Sequence, residues 1–152
     1  MDKVEILQGC DLAKGLSREE VAKLASVAVP VEYSGGDIII REEDTTRDIF
    51  IIVEGWVSVE IQRYSASPGI PKLQLLKNRG IVGEFSFVDG SRRSANVTAK
   101  DSAKLLMLPY EQVSSLMESD YKLGYLLMRN IAVQLCSRIR SANADIGGEL
   151  IW

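Results

Sequence analysis

The chain has 152 residues, 46% hydrophobic and 26% charged, the balance of one soluble domain with enough apolar material to bury a core without disulfide staples. Eighteen basic against 21 acidic residues leave a net charge of −3, without the basic excess of a nucleic-acid binder. No histidine is present, which removes the commonest general base, the usual nucleophilic triads and most zinc or iron sites, so no catalytic residue, metal ligand or cofactor is expected and the chain reads as a non-enzyme.

Residues 2–9 read as a short helix with Val4, Ile6 and Leu7 facing inward. Ser17 followed by Glu20 is a capping box, opening a helix that carries Val21, Leu24, Ala25 and Ala28 and ends at Pro30. From Val31 to Leu108 the pattern changes to short strands divided by turns. Gly35-Gly36-Asp37 is a turn before Ile38-Ile39-Ile40, and the polar stretch 41–48 is a loop. Residues 49–53 read as a strand buried on both faces, closed by a Glu54-Gly55 hairpin turn. In the next strand Val57, Val59 and Ile61 alternate with Ser58, Glu60 and Gln62, the mark of half burial. Residues 65–71 form a loop, and further strands carry Leu73 and Leu75, then Ala95, Val97 and Ala99, then residues 105–108.

Helix returns at Pro109, running through about Met117, and Asp120 caps a long helix from Tyr121 to about Ala144. Gly124, Met128, Ile131, Leu135, Ile139 and Ala142 form a stripe that fits packing on the strands and also fits a homodimer seam. Gly147-Gly148 stops this helix, and Leu150-Ile151-Trp152 follow. The reading is a single mixed α+β domain over 1–152: N-terminal helices (1–30), an antiparallel β-roll of jelly-roll type (31–108) and two C-terminal helices (109–146). No apolar run reaches the roughly 18 residues that span a bilayer. The start lacks a basic segment followed by an apolar one, so no membrane partner is expected and the expected location is the cytoplasm. Cys10 and Cys136 read as buried or half-buried thiols of a reducing compartment.

Residues 83–97 carry the chemistry. Gly83-Glu84-Phe85 opens a short helical turn, and Arg93-Ser94-Ala95 with Val97 enters a strand. This stretch resembles the phosphate-binding cassette of cyclic nucleotide-binding domains, found in the catabolite activator protein, kinase regulatory subunits and cyclic-nucleotide-gated channels. Gly36-Asp37-Ile38-Ile39 and residues 49–59 resemble the same family's early strands, so the likeness runs over about residues 10–145. It implies a regulatory sensor for a cyclic mononucleotide, cyclic AMP ahead of cyclic GMP, with no nucleic-acid partner. Arg93 would hold the phosphate, since one guanidinium meets a single anionic diester with two parallel hydrogen bonds. Glu84 would accept from the ribose 2′-OH. Gly83, Phe85, Ser94 and Ala95 would line the pocket, and Val59, Leu73 and Val82 its apolar side. Glu84 and Arg93 could instead pair with each other as an internal ion pair.

The sequence departs from the family in three turns. Glu43 stands where a glycine is common, Gly80-Ile81 lacks the usual acid, and Arg92 replaces a proline before the cassette arginine. Ser94 suits either base, and Arg138, Arg140 or the 150–152 tail could close over it. Binding would draw the cassette inward and fold the long helix over the base. No helix-turn-helix follows that helix, so DNA binding is not expected of these residues. The competing reading is a β-roll for protein association with an unused pocket. An enzyme of the related cupin type would need a metal-ligand cluster, usually of histidines.

Overall fold

The computed structural model describes residues 1–61, 72–77 and 79–145, with side chains described over 1–60 and 79–141. Helix α1 (Lys3–Gln8) and a 3₁₀ turn (Asp11–Ala13) lead into α2 (Arg18–Val27). The box at the start of α2 closes reciprocally: Glu20 N donates to Ser17 Oγ at 3.2 Å and Ser17 N donates to Glu20 Oε2 at 3.0 Å. The helix ends at Val27, before Pro30. Pro30 lies inside β1 (Val29–Tyr33), so the sheet structure starts two residues earlier than the expected Val31. A proline is tolerated there because β1 is an edge strand, paired only with β8.

Among the described residues, eight strands make two antiparallel sheets. One has the order β1-β8-β3-β6, the other β2-β7-β4-β5. The remaining strands are β2 (Ile38–Ile40), β3 (Ile49–Glu54), β4 (Trp56–Ile61), β5 (Lys72–Lys77), β6 (Ile81–Val82), β7 (Asn96–Ala99) and β8 (Ala103–Leu108). Helix α3 (Glu84–Asp89) follows β6, and α4 (Tyr110–Ser119) and α5 (Tyr121–Asp145) close the fold. The first sheet is covered on both sides, which explains why β3 shows no polar alternation. Ile49 and Ile51 join Leu106, Leu108 and Ile81 beneath the helices, while Phe50 and Ile52 join Leu105, Val57, Val82 and Val97 between the sheets. In β4, Ser58 is buried despite its place on the expected polar face. That strand is interior, flanked by β7 and β5, so neighbours cover both of its edges.

Asp120 caps α5 as expected, its Oδ1 accepting from Leu123 N at 3.1 Å. The expected stripe is only partly inward. Gly124 and Ile131 are buried, Met128 and Leu135 half-buried, and Ile139 exposed; the side chain of Ala142 lies outside the described residues. The buried face runs through Leu123, Leu127, Asn130 and Ile131. It turns away from the roll further on, as a 3.6-residue helix drifts from a seven-residue repeat. Asn130 Nδ2 donates to the carbonyls of Leu12 at 2.8 Å and Lys14 at 2.9 Å, binding α5 to the N-terminal turn. The 65–71 loop, the Gly147-Gly148 stop and the 150–152 tail lie outside the described residues. Cys10 is buried as expected, but Cys136 is exposed, because it lies on the stretch of α5 beyond the face that packs on the core; neither is in a disulfide.

Candidate functional site

Strand β6 runs into Gly83, whose φ of +91° lies in the left-handed region that favours glycine. A side chain there is also sterically barred: a Cβ would stand 2.5 Å from Asp48 O and 2.7 Å from Arg93 Nη1. The chain then turns into α3, and after Gly90 returns through Arg93 into β7. The Arg93 backbone is fixed to the loop before β3, where Glu43 N donates to Arg93 O at 2.9 Å and Arg93 N donates to Asp44 O at 2.8 Å. Glu43 takes a φ of +72°, the conformation for which a glycine would be the usual residue.

The Arg93 side chain is the central feature of the site. The residue is 2% exposed, yet among the described residues it forms no ion pair. Its guanidinium is held by neutral oxygens: Nε donates to Thr46 Oγ1 at 3.1 Å, Nη1 to Gly83 O at 2.9 Å and Nη2 to Asp48 O at 2.8 Å. A guanidinium has five N–H groups. Three are used here, which leaves one N–H on each terminal nitrogen for a further acceptor. Burial pushes its pKa down, opposed by the Asp48 and Asp44 carboxylates, and the group stays a cation.

Arg93 opens on a narrow, partly open cleft with about 70 Å³ of free volume, below the ~300–1,000 Å³ usual for small-ligand sites. Val59, Val82, Gly83, Glu84, Phe85, Arg93, Ser94 and Ala95 all line it. Ser94 and Phe85 are exposed at the rim, while Val82, Glu84 and Ala95 are buried. Val97 of the cassette pattern lines the cleft too, as do Ile40 and Ser86, which the sequence does not mark as site residues. Their contribution depends on which strands meet, and nothing local marks it. Leu73 lies in β5, where its side chain is outside the described residues.

Glu84 does not pair with Arg93. Its Oε1 accepts instead from Arg138 Nη1 of α5, while Arg138 Nη2 donates to Ile81 O at 2.8 Å. Of the candidates for closing over the ligand, the structure brings Arg138 to the cleft. Burial lowers the Arg138 pKa from its ordinary value. The Glu84 carboxylate keeps a second oxygen, since a carboxylate accepts at both.

A roll of two antiparallel sheets has helices before and after it, and a glycine-led turn leads to a buried arginine that forms no ion pair among the described residues. The family profile described as "Cyclic nucleotide-binding domain" matches residues 30–120, and the chain belongs to that family. A cyclic nucleotide-gated cation channel of Ictalurus punctatus is 34% identical over 114 residues, covering 71% of this chain and 15% of the channel. Catabolite activator protein of Thermus thermophilus superposes with a TM-score of 0.75 and 26% identity, over 90% of this chain and 61% of that one. A cyclic nucleotide-binding domain from Methylobacillus flagellatus shares the fold with a TM-score of 0.80 and 23% identity, over 99% of this chain and 83% of that one. The chain spans only 15–17% of the length of the channels it matches. Among the described residues no helix is long and apolar enough to cross a membrane.

Proposed function

We propose that this domain is a non-catalytic sensor that binds a cyclic mononucleotide, cyclic AMP first and cyclic GMP second, and passes occupancy to its C-terminal helices. The observation that carries the reading is Arg93. A buried cation that no carboxylate meets in an ion pair is costly, and an anion delivered to its two unused N–H groups would complete the site. A ring phosphodiester supplies one negative charge and two oxygens, one for each of the two remaining N–H groups. The second oxygen of Glu84 can accept from a ribose 2′-OH while Arg138 holds the first. The walls of Ile40, Val59, Val82 and Val97 suit the apolar faces of sugar and base. Ser94 at the rim can donate or accept, which fits either purine.

Arg138 supports the second half of the proposal, because it ties α5 directly to the ribose-binding acid. The nucleotide shifts α5 only to the extent that it binds one helix arrangement better than another. We place the domain in the cytoplasm and infer that copies associate through α5, whose Ile139 is 56% exposed on the stripe read from the sequence. Titration calorimetry with cyclic AMP and cyclic GMP tests the binding. Arg93→Ala should weaken it by about 2–4 kcal/mol, the scale of charge-assisted contacts to a partly buried anion. Absence of heat for either nucleotide at millimolar concentration would leave the association scaffold as the better reading.

A further inference from the structure

The segment Thr46-Arg47-Asp48 sits in the polar loop before β3, which the sequence marks only as a loop. Thr46 reaches Arg93 at the cleft, Arg47 reaches α3 and Tyr110, and Asp48 reaches both Arg93 and Tyr110. Thr46 Oγ1 and Asp48 O accept from the Arg93 guanidinium. Asp48 also turns the other way: its Oδ1 accepts from Tyr110 N at 2.8 Å, capping the first turn of α4. Arg47 lies between. Its Nε donates to Ser86 O at 2.9 Å and its Nη2 to Phe87 O at 2.9 Å, so it holds the carbonyls of α3. The same guanidinium lies over the Tyr110 ring, 3.7 Å from the centroid, and Phe87 meets that ring edge-on with centroids 5.4 Å apart. A planar guanidinium can donate in its plane and stack through its face at once, which an ammonium cannot.

We propose that Arg47 is a positioning residue that carries the state of the phosphate site to helix α4, by bonding the α3 carbonyls in its plane while stacking on Tyr110. This deepens the sensor reading and rests on it. Arg47 is absent from the cleft lining, so its effect must pass through α3 and Tyr110. A nucleotide that draws α3 toward Arg93 moves Ser86 and Phe87, and Arg47 has to follow them or lose two hydrogen bonds. Tyr110 is the first residue of α4 and is held by both Arg47 and Asp48, so the displacement arrives at the start of that helix. The coupling then travels through contacts with named atoms at each end.

The test measures amide hydrogen exchange over residues 110–113 with and without saturating cyclic AMP or cyclic GMP, alongside calorimetry on the same samples. In the wild-type chain the bound nucleotide should change exchange there by roughly fivefold or more, the low end of ordinary coupling between sites. Arg47→Met keeps the apolar stem and removes the donors and the stacking plane. It should still bind nucleotide but lose the exchange change at 110–113. Tyr110→Leu should behave the same way, and it decides the matter if Arg47→Met does not fold. Tyr110→Phe keeps the ring and should restore the wild-type response. Nucleotide binding by Arg47→Met or Tyr110→Leu with a full wild-type response overturns the relay and leaves the sensor reading intact, as does a Tyr110→Phe response as poor as that of Tyr110→Leu. Absence of binding by the wild-type chain overturns both.

Discussion

Beneath the helices, the first sheet is fastened by side chains without polar atoms: Ile49, Ile51, Ile81, Leu106 and Leu108, each 1% exposed or less. At the cleft, the fastening is by side-chain donors on backbone carbonyls, with Arg93 on Gly83 and Asp48, Arg47 on Ser86 and Phe87, and Arg138 on Ile81. The first kind of contact is non-directional and scales with area, so it tolerates small shifts of its members. The second depends on the position of single atoms. Stability is therefore concentrated in one region and geometry in the other, and the two should respond differently to substitution.

The largest effect on stability belongs to the helix-facing layer. Leu106→Ala, at a position 0% exposed, should lower stability by about 3 kcal/mol in a denaturant titration. Nucleotide affinity of the folded fraction should stay unchanged; a parallel fall in affinity would mean that the two regions are not separable. Gly83→Ala sharpens the contrast from the other side. Left-handed strain alone should cost about 2 kcal/mol. The Cβ at 2.5 Å from Asp48 O and 2.7 Å from Arg93 Nη1 should also displace the arginine, weakening nucleotide binding by roughly tenfold or more. Retention of wild-type affinity would show that the cleft absorbs shifts as the core does.

The smallest effect belongs to the ion pair joining α2 to the start of α5, where Lys122 Nζ stands 2.9 Å from Glu20 Oε1. The Lys122 ammonium, and next the Ser17 amide, hold the Glu20 carboxyl below its ordinary pKa. The folded form therefore binds this proton less readily than the unfolded chain. The resulting stability is present above the usual glutamate range, near pH 4.3, and is lost as pH falls through the depressed folded value. Glu20→Gln keeps the cap, because a glutamine serves in the same box. It should cost about 0.5 kcal/mol at pH 7, with a gap from wild type that closes in acid; a constant gap would assign the difference to packing rather than charge.

Elements set by local chemistry were legible in the sequence. Ser17 and Glu20 announced the start of α2 three residues apart, and Asp120 announced α5. The cassette was legible because it is linear: Gly83, Glu84, Arg93 and Ala95 fall within one short stretch that the resemblance covers. Glu43 stood where the family prefers glycine, and its backbone does adopt the left-handed conformation. What escaped was set by which distant segments meet. Residues 41–48 read only as polar, since nothing in Thr46-Arg47-Asp48 reveals that Arg93, α3 and Tyr110 converge on it. Arg138 could not be separated from Arg140 by sequence, because the rotation of a long helix about its axis is fixed by docking. The heptad reading of α5 shared Gly124 and Ile131 with the buried face but missed Asn130, a polar residue on an apolar stripe.

That asparagine has a mechanical meaning. Its amide grips the Leu12 and Lys14 carbonyls at a point where α5 is still deep in the core. Arg138 lies eight residues further on, about 12 Å along the axis at 1.5 Å per residue. A helix clamped at 130 and pulled at 138 is a cantilever: a small tilt about the clamp grows along the free arm, and the far end of α5 sweeps the widest arc.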